Sequence, residues 1–386
     1  MSPPNDTDLT RPQFVGAKIT RREDPRLLAG QGNYVADIKR HGMLHIAFRR
    51  SDHAHALINS IDTGAAEALE GVVAVYTGAS IARLANPYQA TSRMKNYQAT
   101  FIPPLAVDKV RYVGEAVVAV IANSRYLAED ALAQIVIEYE ALPVMVDPEE
   151  ALKPDAPKLH DDLESNILAS REFTRGEVNE AFAIAAHTAG GRFHFTRTTP
   201  VTIEPRASVA EYDKGARTLT LHCTTQIPGI VRDKLSEIFD LPGPRIRVIA
   251  PDVGGGFGGK TSLYSEEIVA CAAARHLGRP VKWVSDRMED LMTTGNAFDE
   301  IVDAEIAVAE DGRILGVKAD VIGDVGAYSI YPWTATIEPV QVVSFLPGPY
   351  RIDNYAARVR AVATNKTLTG AYRGVGRPIS VFVMDR

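Results

Sequence analysis

The chain has 386 residues, 46% of them hydrophobic and 23% charged, and a formal net charge of −6. That length predicts two or three domains rather than one small core, and the acidic balance excludes a broad nucleic-acid-binding face, which needs a basic surface. The two cysteines, Cys223 and Cys271, rule out a disulfide framework and fall short of the roughly four thiolates of an iron–sulfur cluster. The amino terminus is polar and proline-marked and no apolar run approaches membrane-spanning length, so the expectation is a cytoplasmic protein with no membrane span.

Residues 1–15 read as a disordered tail. Strand signals follow at 44–48 and 56–61, and a helix is expected from Thr63, a good N-cap, to Leu69, with Gly71 as its stop. "GVVAVYTG" (71–78) is a strand, and "VGEAVVAVIA" (113–122) is apolar enough to be a strand buried on both faces. Ser124 is placed to cap a helix in "SRYLAEDALAQ", after which "IVIEYEALPVMVD" returns as strand, broken at Pro143. Helices and strands mix without a clean βαβ repeat, so the fold class is α+β rather than doubly wound. The charged, proline-rich run from Pro148 to Pro157 marks a domain boundary, dividing 16–148 from 149–386.

Beyond the boundary, "ARTLTLHCTTQIP" is a strand with a proline stop, and "GIVRDKLSEIFDLPG" is an amphipathic helix ending at Pro242–Gly243. "RIRVIAPDV" is a strand that runs into a glycine loop, and "SEEIVACAAARHLGRP" is a helix capped by Ser265 and closed by Gly278 and Pro280. The stretch 299–324 forms a long hairpin turning at Asp311–Gly312.

The glycine loop, "PDVGGGFGGKT" (251–261), satisfies the nucleotide pattern G-x-x-x-x-G-K-[ST] from Gly254 to Thr261. In a phosphate-binding loop the lysine and threonine open the helix, so that its positive end faces the phosphates. Here Ser265, Glu266 and Glu267 occupy the helix start, which leaves Lys260 about one turn outside it, in loop. No apolar strand ending in Asp follows to hold magnesium. Five glycines around one phenylalanine serve a different purpose well: they remove side chains where main-chain N–H groups must approach a ligand's oxygens. Such a loop binds any oxyanion or metal-oxo group.

Three motifs occur in order, with a helix between the first two: "TTQIP" (224–228), "RIRVIAPDVGGGFGGK" (245–260) and "AYRGVGRP" (371–378). The series resembles the molybdenum-binding large subunits of the xanthine dehydrogenase, aldehyde oxidase and carbon monoxide dehydrogenase-like hydroxylases. "REDPRLLAGQGNYVADI", "RRSDHAHALINSIDT", "GVVAVYTG" and "VGEAVVAVIA" look like that family's α/β hammerhead domain. The resemblance runs from about residue 16 to the end, and it implies a hammerhead domain over 16–148 and a first molybdopterin-binding domain over 149–386.

Carried over position by position, the resemblance implies that the Gln226 amide approaches an oxo ligand of molybdenum. It implies that Gly255, Gly256, Phe257 and Gly258 lie against the metal's oxygens and the pterin, and that Ala371 and Arg373 belong to a second cofactor loop, Arg373 beside the substrate. Gln226, Phe257 and Arg373 would sit near the metal without ligating it, because the pterin dithiolene holds it. Glu204, in "TIEPRA", matches a glutamate we read as structural. Lys260 is then a solvated or structural lysine, His53 and His55 packing or surface residues, and Tyr328 and Tyr331 core or pocket lining.

The implied activity is hydroxylation of an aldehyde or N-heteroaromatic carbon with water-derived oxygen. The implied cofactor is Mo-molybdopterin, the cytosine dinucleotide form among the options, with electrons leaving to partner subunits carrying 2Fe-2S clusters and FAD. The "AYRGVGR" loop lacks the cysteine of copper-containing carbon monoxide dehydrogenases, and Thr261 stands where purine-oxidising relatives carry a carboxylate, so both of those substrates are disfavoured. The stretch "TTGNAF" lacks a basic residue common in the family. Large subunits of this family run to about double this length. The expected partner set therefore includes a carboxy-terminal half with the catalytic base, and a truncated or scaffold module without activity is the alternative.

Overall fold

The computed structural model describes residues 15–386; the expected amino-terminal tail lies outside that range except for Val15. Before the expected boundary the strands are β1 (Leu44–Arg50), β2 (Ala56–Asp62), β3 (Val72–Thr77), β4 (Lys109–Val110), β5 (Ala116–Ala122) and β6 (Val136–Ala141). After it come β7 (Ile167–Arg175), β8 (His187–Phe195), β9 (Ala207–Asp213), β10 (Thr218–Cys223), β11 (Ile246–Ile249), β12 (Val281–Val284), β13 (Glu300–Val308), β14 (Ile314–Gly326) and β15 (Asn354–Ala363).

These strands build three sheets: β11-β10-β9-β12-β1-β5-β3, β7-β15-β14-β13-β8 and β4-β2-β6. The first joins strands from both sides of residue 148. Its seam is the parallel pair β1–β12, with Leu44 opposite Val281 and His45 opposite Lys282. Strand β5, "AVVAVIA", is buried along its whole length between β1 and β3. Its uninterrupted small and branched apolar side chains suit it to that position, because both faces of a central strand must be covered. One face, with Ala119 and Ile121, packs toward the helix Ser265–Leu277. The other, with Val118, Val120 and Ala122, packs toward the helix Arg125–Leu132.

Local signals account for the helix ends. Ser124 accepts the Leu127 N–H at 3.2 Å, and Gly278 closes Ser265–Leu277 at φ +68°, a left-handed conformation that favours glycine. Two expectations change. The helix expected over 63–69 is the single turn Gly64–Glu67, with Thr63 Oγ1 bonded to Glu67 Oε1 instead of to main-chain N–H groups. The cap of the long helix is Tyr264 rather than Ser265, because Glu267 reaches back to accept the Tyr264 N–H at 2.9 Å.

In the second sheet, β14 and β15 run parallel from Gly316 opposite Asn354 to Gly326 opposite Ala363. The helices Pro339–Phe345 and Arg377–Asp385 cover one face through Val342, Val343, Ile379 and Val383. That packing fixes the loop just ahead of Arg377.

Because β1 sits in a sheet completed by later strands, truncating Leu44, which is fully buried, is expected to destabilise both parts together. Leu44→Ala should lower stability by about 2–5 kcal/mol and leave one cooperative transition in urea, read by tryptophan fluorescence. Two separated transitions would contradict it.

Candidate functional site

Three remote segments meet at the end of β10 and β11. Asp252, just beyond β11, is held by the Arg26 guanidinium at 2.5 and 2.6 Å and accepts the Asn33 N–H at 2.8 Å. The glycine loop then doubles back, with Gly255 at φ +100°, Phe257 at +50° and Gly258 at +107°. Two of these demand glycine for the reason of φ, whereas Phe257 tolerates the left-handed region at a cost of order 1 kcal/mol. Phe257 as a whole is 49% exposed.

Close approach constrains Gly256, and Gly258 a second time. A Cβ at Gly256 would lie 2.4 Å from Gln226 Oε1, and one at Gly258 would lie 2.2 Å from the Ala371 carbonyl oxygen. Gly258 N–H donates to Gln226 Oε1 at 3.1 Å, and Arg373 N–H donates to the Phe257 carbonyl at 2.9 Å. Gln226, Gly255, Gly256, Phe257, Gly258, Ala371 and Arg373 are thus brought into one cluster. Gln226 and Arg373 are exposed, and neither the Gln226 NH₂ nor the Arg373 guanidinium has a hydrogen-bond partner among the described residues. Donors aimed outward beside bare main chain make a site for a ligand rich in oxygen acceptors. Among the described residues no group of three or more His, Cys, Asp or Glu side chains gathers as metal ligands.

The nucleotide alternative does not survive this geometry. The Lys260 ammonium is buried and donates to the Glu204 carbonyl at 2.8 Å and to Glu204 Oε2 at 3.1 Å. It is a structural lysine, not a solvated one. The following helix starts only at Ser265, with its entrance closed by Glu267, so no free helix end is offered to phosphates.

Beneath the loop lies a buried ionic core that sequence reading missed. Arg206, 1% exposed, pairs with Glu266 at 3.1 Å and donates to Thr294 Oγ1 at 3.0 Å. Its guanidinium stacks on the Tyr264 ring, 3.9 Å from the centroid. Arg50 binds the same Glu266 at 2.7 Å and Glu289 at 2.6 Å. Burial alone would raise the Glu266 carboxyl, but Arg206 and Arg50 outweigh it and hold the pKa at about 2. Burial dominates for its neighbour Glu267, which is pushed up to about 7. Tyr264 carries this core to the loop: its hydroxyl donates to the Gly259 carbonyl at 2.7 Å and accepts the Gly295 N–H at 3.1 Å. The available signal was the charge density of "TIEPRA" and "YSEE", which apolar periodicity does not weigh.

The other flagged residues have quieter roles. His55 is buried with Nδ1 2.7 Å from the Pro143 carbonyl, and His53 packs on Tyr139. Buried Tyr328 donates to Glu115 Oε1 at 2.7 Å, and Tyr331 lies against Tyr88. Thr261 Oγ1 donates to the Gly258 carbonyl at 2.6 Å, and its own carbonyl accepts the Trp333 indole N–H at 2.7 Å. Cys223 and Cys271 are buried in the core, away from the 371–378 loop.

Comparison with known proteins matches residues 159–386 to the molybdopterin cofactor-binding domain family. Residues 29–143 match the aldehyde oxidase and xanthine dehydrogenase a/b hammerhead domain. The nicotine 6-hydroxylase large subunit of Paenarthrobacter nicotinovorans is 38% identical over 97% of this chain and 45% of its own length. The carbon monoxide dehydrogenase large chain of Afipia carboxidovorans is 40% identical over 94% and 46%. The crystal structure of quinoline 2-oxidoreductase from Pseudomonas putida 86 superposes with a TM-score of 0.91 at 40% identity, over 94% of this chain and 46% of that one. The chain therefore spans about half the length of these relatives.

The ionic core sets an acid limit. Since Glu266 is held below its ordinary value of 4.5, its contribution is complete above 4.5 and is lost as pH falls toward about 2. Glu266→Gln should flatten that acid limb in denaturant titrations. At neutral pH it should cost about 3–5 kcal/mol by leaving two buried guanidinium groups short of a partner. An unchanged acid limb would show that the pair is not the titrating element.

Proposed function

The chain belongs to the molybdopterin cofactor-binding family of the xanthine dehydrogenase and carbon monoxide dehydrogenase large subunits, and from that premise we propose that it forms one wall of the active site of a hydroxylase. Its substrate in this reading is an aldehyde or an N-heteroaromatic ring. The observation that carries it is the meeting of Gln226, Gly256–Gly258 and Ala371–Arg373, three segments joined by two hydrogen bonds and two contacts too tight for any side chain.

The fit to the cofactor is physical. The main-chain amides of Gly255, Gly256 and Phe257, without partners among the described residues, can approach oxygen or pterin nitrogen closely, and the Gln226 side-chain carbonyl, already committed to Gly258 N–H, leaves its NH₂ as the outward donor. When bound, the molybdenum cofactor supplies the two-electron oxidation that introduces oxygen from water. The chain's residues provide the setting. Gln226 orients an oxo group by donation, Phe257 presents an apolar ring edge that limits water, and Arg373 orients a polar substrate or steadies negative charge developing on it. None of the residues here is assigned as the catalytic base. We place that group, with the remaining pterin contacts, in a second molybdopterin-binding segment. Electrons would leave through 2Fe-2S and FAD subunits.

Nicotine and quinoline, named for two relatives, favour the N-heteroaromatic class. Carbon monoxide oxidation with a copper-bridging cysteine is disfavoured, since both cysteines lie buried in the core. A purine substrate is disfavoured because Thr261, bonded to Gly258 and Trp333, offers no carboxylate.

Metal and pterin analysis of the protein purified with its native partners tests the reading, and near-stoichiometric molybdenum is expected. Gly256→Ala, which drives a methyl group into Gln226, should reduce bound molybdenum by about tenfold or more. Gln226→Ala should keep more of the metal than that while losing about 10²-fold in kcat. Wild-type protein with bound ATP and no molybdenum or pterin would overturn the proposal.

A further inference from the structure

Lys260 is the motif residue to which the proposed function gives no task, yet it is the loop's one cation and it is enclosed. Its side chain is 1% exposed. The ammonium donates to two different acceptors of one residue, the carbonyl and Oε2 of Glu204. The same Oε2 accepts the Gly254 N–H at 2.6 Å, and Glu204 N–H donates to the Gly254 carbonyl at 3.2 Å. Glu204 thus grips the loop where it begins and Lys260 ties that grip to where it ends. The Lys260 carbonyl in turn accepts the Gln226 N–H at 2.8 Å and lies 3.4 Å from Thr225 Oγ1. One residue therefore connects Glu204, Gly254 and the backbone of Gln226.

Whereas Gln226 and Arg373 are exposed, the side chains of Lys260 and Glu204 are only 1% and 12% exposed and turn to the loop's own backbone. Their effect is on span. With its ends fixed to one residue, the run 254–260 closes through the reversed bends at Gly255, Phe257 and Gly258, and the Gly258 N–H meets Gln226. The second carboxylate oxygen, Glu204 Oε1, is buried without a hydrogen-bond partner among the described residues. Removing the ammonium would leave a carboxylate largely shut away from water and held only by Gly254, so Glu204 would turn toward solvent and release the loop's first residue.

We propose that Glu204 and Lys260 are positioning residues for the molybdenum site: a buried clasp that sets the spacing between the glycine loop and Gln226, and through it the retention of the cofactor. The inference rests on the reading of the site given above, so its test has two independent readouts. The first is amide hydrogen exchange across 253–259 in the purified protein, which requires no cofactor. The second is molybdenum per polypeptide.

Lys260→Met keeps the stem and removes the charge. It should speed exchange at 253–259 by about tenfold or more, with the helix Arg125–Leu132 unchanged, and lower bound molybdenum by about tenfold at a Tm within about 5 °C of wild type. The paired variant Glu204→Gln with Lys260→Met removes both charges and should recover most of the exchange protection and the metal. Lys260→Arg should lie between them. If exchange at 253–259 is unchanged in Lys260→Met, or rises equally throughout the fold, or the paired variant is worse than the single one, the clasp is refuted. A wild-type protein free of molybdenum and pterin would refute the cofactor assignment instead, and the exchange comparison would still decide the clasp. Should Lys260→Met fail to fold, Glu204→Gln alone gives the same reading through the Gly254 amide.

Discussion

Two guanidinium groups close on one carboxylate inside this molecule: Arg206 and Arg50 both bind Glu266, and Arg50 also binds Glu289. Sealing ions from water is costly, and the arrangement holds only because each charge meets a counter-charge and further hydrogen-bonding groups. What the cost secures is position. Arg206 leaves β9's approach, Glu266 opens the long central helix, and Tyr264 sits between them with its ring under the guanidinium and its hydroxyl on Gly259. The glycine loop is soft by composition, since its residues lose more conformational freedom on ordering than others do. It is made stiff from below by this core and from its ends by Glu204 and Asp252.

The cradle is therefore a tension between permissive backbone and rigid anchorage. Where side chains are absent, at Gly254, Gly256 and Gly258, a neighbour occupies the vacated space: Glu204, Gln226 and the Ala371 carbonyl respectively. The glycines thus serve packing of the chain against itself as much as access for a ligand. Gln226 has a part in both, since its oxygen ends a main-chain hydrogen bond while its nitrogen is left to the outside. A surface built this way recognises shape and acceptor pattern with very little reorganisation.

Much of this was legible in the residues. β5 announces its central place because "AVVAVIA" offers no polar face, and the hairpin at Gly312 and the stop at Gly278 follow from local backbone chemistry. The motifs around Gln226, Phe257 and Arg373 are each a local run, and the fold brings those three segments together. What was hidden is long-range. Nothing in "LHIAFRR" says that Leu44 will pair with Val281, and nothing in "TIEPRA" says that Arg206 will find Glu266. Charged residues in a sequence suggest solvent, and only the completed fold shows which of them are enclosed. Tyr264 as a cap is hidden in the same way: its role depends on Glu267 turning back, a side-chain event invisible to propensity.

The two family matches divide near residue 150, as if the chain were two interchangeable modules. The hydrogen bonding is organised otherwise, because the seven-stranded sheet crosses that point through β1 and β12. A chimera made by exchanging the amino-terminal part between relatives would expose the inner edge of β1 to a foreign strand. It would also bring a foreign residue to position 50, where Arg50 meets Glu266 and Glu289. Recombination in this lineage is thus constrained by a seam of main-chain pairing and by one arginine, and a successful exchange must carry both across the junction intact.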